Sequence, residues 1–154
     1  MKVRTMILTL ALCFALGALG FASNSNLGTW KLNEAKSKIP AGATKNNTVV
    51  YEAVGDSVKV TVDGTDGDGK PIHSEWTGMF DEKDYPVIGD PTEDSRSYKK
   101  IDDRRLELTI KKDGKTVITG RIVVSADGKS RTLTATGTDP KGKKVKSTSV
   151  FDKQ

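Results

Sequence analysis

From Leu27 to the C-terminus apolar and polar residues alternate with a period of two, and that regularity excludes most folds. "SVKVTVD" sets Val58, Val60 and Val62 on one face against Lys59, Thr61 and Asp63 on the other, as a half-buried antiparallel strand requires and a helix does not. "RLELTIK" repeats the device with Leu106, Leu108 and Ile110, and "RTLTATGT" alternates again with a row of threonines. β-branched residues dominate and helix signals are nearly absent. The breaks are equally regular. "GDGK", "KDGK", "ADGK" and "PKGK" place a Gly-Lys pair at Gly69, Gly114, Gly128 and Gly142, where glycine supplies the positive φ that tight hairpins need.

Strands are expected near residues 27–32, 47–54, 57–63, 71–80, 96–101, 104–111, 116–125, 131–138 and 143–152, with room for a short one at Val87 and Ile88. Residues 34–45 read as a loop or one helical turn, and residues 85–94, with Pro86 and Pro91, as an irregular crossing. The expectation is therefore an all-β, up-and-down antiparallel meander of eight to ten strands. Left flat it would expose two edges, and closure into a β-barrel removes them.

The barrel sequence is preceded by Lys2 and Arg4, an apolar run from Met6 to Leu19, and "GFA" ending at Ala22. This reads as a secretory signal peptide over residues 1–22, with residues 23–154 forming one domain exported to the periplasm or the medium. The run falls short of the roughly 20 residues of a membrane span. Cys13 lies inside it, and Leu12 stands where a lipidation signal needs a small residue, so the mature chain is expected to be free of cysteine, without disulfide, thiolate nucleophile or thiolate-bound zinc. Losing Lys2 and Arg4 leaves 23 of 25 basic residues against 20 acidic ones, a net charge of +3. The signs are interspersed and no aromatic-basic interleaving occurs, which argues against nucleic acid as a partner.

"LGTWKLN", Leu27 to Asn33, opens the first strand of this meander with Gly-x-Trp, and in that setting the chain resembles the lipocalins and fatty-acid-binding proteins of the calycin group. The resemblance implies that Trp30 plugs the closed end of the barrel. "GTWKLN", "KDYPVIGDP" and "VFDKQ" together resemble uncharacterised exported bacterial lipocalin-like proteins, which implies no particular activity. Residues 34–45 are too short for the helical lid of the fatty-acid-binding proteins. Their last strands supply an arginine and a tyrosine to the fatty carboxylate, where this chain has "STSVFDK". A shared fold does not carry ligand chemistry with it.

Several stretches look chemical. In "DGTDGDG" Asp63, Asp66 and Asp68 are out of phase for an EF-hand loop, and no Glu stands at position twelve, so no metal site is expected and the stretch reads as a turn. His73 shares a polar strand face with Glu75, without a nucleophile. Asp81, Glu82 and Asp84, and likewise "DDRR" at residues 102–105, read as solvated turns. Lys141, Lys143, Lys144 and Lys146 mark the final hairpin, either discouraging edge pairing or giving weak attraction to anionic envelope surfaces.

The interior is the best functional candidate, since small barrels are either filled by side chains or hold one small ligand. Trp76, Phe80, Tyr98, Leu106, Leu108 and Ile110 are the expected lining, with Tyr51 as a polar-tipped neighbour. The expectation is a monomeric, non-enzymatic protein with no cofactor that binds a small apolar or amphipathic molecule. The alternative is a filled barrel acting through its surface as an envelope or inhibitor-type interaction protein.

Overall fold

A computed structural model describes residues 24–138 and 142–154. The signal segment 1–22, Cys13 within it, and Lys141 lie outside the described residues. Ten strands follow in order: β1 (Gly28–Leu32), β2 (Lys45–Val54), β3 (Ser57–Thr65), β4 (Pro71–Gly78), β5 (Tyr85–Ile88), β6 (Ser95–Lys100), β7 (Arg105–Lys112), β8 (Lys115–Val124), β9 (Ser130–Thr138) and β10 (Lys144–Lys153). Each pairs antiparallel with its neighbour in sequence, and β1 pairs with β10 as well as β2, which closes the barrel. Among the described residues every strand thus has a partner on both sides, β5 over only part of its length.

The corners behave as their composition requires. Gly69, Gly114, Gly128 and Gly142 all have φ between 71° and 81°. At the β7–β8 corner, where only two residues separate the strands as they do between β2 and β3, Asp113 is left-handed too, at 51°. Two consecutive positive φ angles match the right-handed strand twist on both sides.

Residues 34–45 contain one 3-10 turn, Glu34–Lys36, capped by the Asn33 side chain. Residues 85–94 are more regular than their prolines suggest. β5 pairs with β6 through Tyr85 and Pro86 and with β4 through Val87 and Ile88. Pro86 thus lies in the half of the strand that β4 does not pair, where a missing N–H breaks no ladder bond.

The register defines two ends. One, here the base, carries the β2–β3, β6–β7 and β8–β9 corners and both ends of the described chain. The other, the mouth, carries residues 33–44 and the β3–β4, β7–β8 and β9–β10 corners. Trp30, Phe151, Ile122, Val124, Leu106, Val60 and Trp76 are buried almost completely. They seal the lower half of the barrel. Burying each such side chain contributes on the order of 1.5–3 kcal/mol.

Candidate functional site

Polar chemistry inside the barrel concentrates at two places. At the base, Trp30 Nε1 donates to the Asn26 carbonyl oxygen at 2.7 Å. The buried Arg131 guanidinium lies 5.4 Å from the Trp30 ring, 4.7 Å from Tyr51 and 4.9 Å from Phe151. Among the described residues Arg131 Nε and Nη1 have no hydrogen-bond partner. Three ring faces therefore take the place of an anion. A desolvated cation–π contact is worth about 2 kcal/mol, of the same order as one unsatisfied buried donor costs.

The second place is the β5–β6 wall. Glu93 and Arg96, whose side chains are only 5% and 7% exposed, form a two-bonded ion pair. Arg96 Nη1 also donates to the Tyr98 hydroxyl at 3.3 Å, and the Arg96 carbonyl accepts from Trp76 Nε1 at 2.8 Å. Burial opposes the Arg96 charge, but neighbouring Tyr98 and Glu93 outweigh it and hold its pKa above the ordinary guanidinium value. Burial, followed by the neighbouring Tyr51, pushes the Tyr98 phenol up against the pull of Arg96. A cation and its carboxylate are thus fixed in the wall by hydrogen bonds, the condition under which a buried pair persists.

Of the six expected lining residues, Trp76, Tyr98, Leu106 and Leu108 belong to one hydrophobic core cluster, and Phe80 and Ile110 pack against it. Trp76, Tyr98 and Leu106 belong to the sealed lower half, with Trp76 and Tyr98 ring centroids 4.8 Å apart. Phe80 lies beyond the end of β4 and stacks on Trp76 at 6.3 Å. Leu108 and Ile110 continue upward along β7, Leu108 buried and Ile110 only partly so. Trp30 is fully buried at the base. By register Leu133 lies opposite Ile122, Ala135 and Ser147 lie level with Leu108, and Ile110, Ile118 and Val145 stand one step higher, all on the same interior side as the core residues they adjoin. All six are only partly buried. Exposure of the upper interior is uneven: Ile110, Ile118 and Val145 are partly exposed, whereas Val62, Ser74 and Arg96 on the β3–β6 side are buried.

Two concavities lie elsewhere. One, of about 400 Å³, sits at the mouth between residues 39–45 and the β3–β4 corner. The other, of about 560 Å³, is lined by Thr109, Thr119, Thr132, Thr134, Thr136 and the Glu107–Arg121 pair. Those side chains alternate with the inward ones, so this hollow is on the outer wall.

The chemical-looking stretches resolve into turn and strand geometry. Asp66 Oδ1 accepts from the backbone N–H groups of Asp68 and Lys70, both at 2.9 Å, and so closes the β3–β4 corner. Among the described residues no group of three or more His, Cys, Asp or Glu is arranged to hold a metal. Asp81, Glu82 and Asp84 each pair with a different lysine, Lys83, Lys99 and Lys111. Asp102 accepts from Arg104 N and Arg105 Nε within its own turn. His73 Nδ1 lies 2.6 Å from Asp63 across the β3–β4 ladder, and that bond raises the imidazole pKa above 6.5. Lys59, 2.8 Å from Glu75, holds that carboxyl below its usual value.

Arg131, Glu93 and Arg96 escape sequence reasoning because charged residues count there as surface. The one available signal is that Arg96 and Tyr98, two apart in a strand, must share a face.

No family model matches this chain, and no curated protein matches it. Two similar solved structures are EF1p2_mFAP2b bound to DFHBI, at TM-score 0.48 and 13% identity, and a redesigned β-barrel, mFAP1, bound to DFHBI, at TM-score 0.44 and 18% identity. Both likenesses cover 86% of this chain, and 97% and 98% of the other. Neither bears on what this chain binds.

Proposed function

We propose that this chain is an exported, non-enzymatic, lipocalin-like barrel that takes a small apolar or amphipathic molecule into its upper half. The observation that carries the reading is the split along the barrel axis. Trp30, Leu106, Ile122 and Val124 are buried almost completely toward the base, whereas Ile110, Ile118 and Val145, further along the β7–β10 strands, remain partly exposed toward the mouth. Ten strands also enclose more room than the eight that side chains just fill. Aliphatic walls with Ser147 and Ser149 among them suit a molecule with one polar end.

Native mass spectrometry of the protein recovered from its exporting host tests the proposal. A co-purifying small molecule, or an environment-sensitive fluorophore displaced by lipid-like competitors, is the expected result, and Ala135→Trp should abolish binding without unfolding the barrel. Failure of every apolar probe, with Ala135→Trp strongly destabilising the barrel because side chains already fill it, would overturn it.

A second reading, action through the surface, is favoured by the outer-wall hollow of about 560 Å³ and by the exposed Lys143, Lys144 and Lys146 beside the mouth. It predicts attachment to anionic vesicles that falls steeply between low and physiological salt. Salt-independent attachment would exclude it.

A further inference from the structure

Five threonines face outward on the neighbouring strands β7, β8 and β9 and line the outer-wall hollow of about 560 Å³. The register sets Thr109, Thr119 and Thr136 in one row across the strands, Glu107, Arg121 and Thr134 in the next, and Val123 with Thr132 in a third. Neighbouring positions of such a grid are about 4.8 Å apart across the strands and about 6.7 Å apart along them. All five threonines are at least partly exposed. Among the described residues their hydroxyls take part in no side-chain hydrogen bond. Strand propensity alone does not account for the grid. Threonine suits any exposed strand position, yet the outer face of β3 and β4 carries the Lys59–Glu75 and Asp63–His73 pairs instead.

The chemistry of the hollow narrows what it can hold. Arg121 Nη2 donates to Glu107 Oε1 at 3.0 Å, so the two charges inside it cancel. At the margins Arg105 is matched by Asp102 at 2.6 Å and Lys99 by Glu82 at 3.1 Å, while Lys146, opposite Thr136 on β10, adds one positive charge. A polyanion needs a run of unmatched cations. A protein partner needs aromatic or large aliphatic anchors, and Val123, at 38%, is the one exposed large apolar side chain of the lining.

A hydroxyl both donates and accepts. Five of them beside a guanidinium–carboxylate pair complement a ligand that carries many hydroxyls and no charge: adjacent ligand hydroxyls accept from Arg121 and donate to Glu107, and the threonine methyl groups and Val123 meet its C–H faces. We propose that the outer wall of β7–β9 binds a neutral oligosaccharide lying within this hollow.

The site does not depend on a ligand inside the barrel. Its test is NMR titration of the exported protein, recovered from an expressing bacterium, with hexasaccharides of glucose, mannose, galactose and N-acetylglucosamine, and with the polyanion hexagalacturonate. At least one neutral hexasaccharide should shift the amide signals of Thr119, Arg121 and Thr134, with an affinity that changes less than about twofold between low and physiological salt. Thr119→Val combined with Thr134→Val keeps shape and strand propensity while removing two hydroxyls, and should weaken binding at least about tenfold. Thr61→Val, on the outer face of β3, should leave it unchanged, and the amide spectrum shows that each variant is folded. The proposal is overturned if no neutral hexasaccharide binds, if the shifts fall on the mouth or the interior and spare those three amides, if the folded double variant binds like the parent, if Thr61→Val loses as much, or if hexagalacturonate alone binds and salt abolishes it.

Discussion

Replacing Glu93 by Gln tests the reading of the β5–β6 wall. The substitution keeps size and removes one charge, leaving the Arg96 guanidinium buried at 7% exposure without its carboxylate. Tyr98 remains as one partner, and the Trp76 indole still donates to the Arg96 carbonyl. Removing one member of a buried pair costs about 3–5 kcal/mol, because the remaining charge is neither solvated nor matched. For a domain of this size urea unfolding has a slope of about 2 kcal/mol per M, so the midpoint should fall by about 1.5–2.5 M. Replacing both residues together, Glu93→Leu with Arg96→Met, removes charge and counter-charge at once and should recover most of that loss. The double variant therefore separates the cost of an orphaned charge from the value of the pair. A Glu93→Gln midpoint within about 0.5 M of the parent would show that water reaches Arg96 and that the wall is not dry.

At the base, Trp30→Ala should cost about 3–5 kcal/mol by urea unfolding, since the indole is fully buried in the core cluster with the Arg131 guanidinium over its ring; a change near zero would contradict its role as plug. Arg131→Met, which keeps length but removes two unpartnered donors along with three ring contacts, should shift stability by less than about 1.5 kcal/mol. A loss above about 3 kcal/mol would mean that the rings outweigh the missing hydrogen bonds. His73, titrated by NMR, should show a pKa above 6.5, and Asp63→Asn should bring it down. A raised imidazole pKa stabilises the fold fully below the unfolded value, and that contribution fades as pH rises through the folded value. An unmoved His73 titration in Asp63→Asn would refute the ladder contact.

Much of the architecture is legible in the sequence because the two signals involved are local. Period-two alternation and Gly-Lys corners place nine strands within a few residues of where they lie. The tenth, β5, is faint because it is four residues long and holds Pro86, and its pairing depends on neighbours far along the chain. The split of the interior is not legible. Alternation states which face Trp76 and Ile110 share, but their heights along the barrel axis come from the register of all ten strands. Arg131, Glu93 and Arg96 are hidden for a related reason: their burial depends on three rings, or on one another, supplied by separate elements or positions. The outer hollow beneath the threonine rows follows from sheet curvature, which no single strand encodes.

The distinction between a sealed base and an accessible upper interior is tested most directly by thiol labelling. With residues 1–22 absent the chain has no cysteine, so Ala135→Cys and Ile122→Cys each introduce one reporter. In the folded protein Ala135→Cys should react with a small water-soluble maleimide at a rate near that of an exposed thiol, and slow when an apolar probe is present, while Ile122→Cys stays unreactive until urea unfolds the barrel. Equal protection of both thiols without any probe would mean that side chains fill the barrel from end to end.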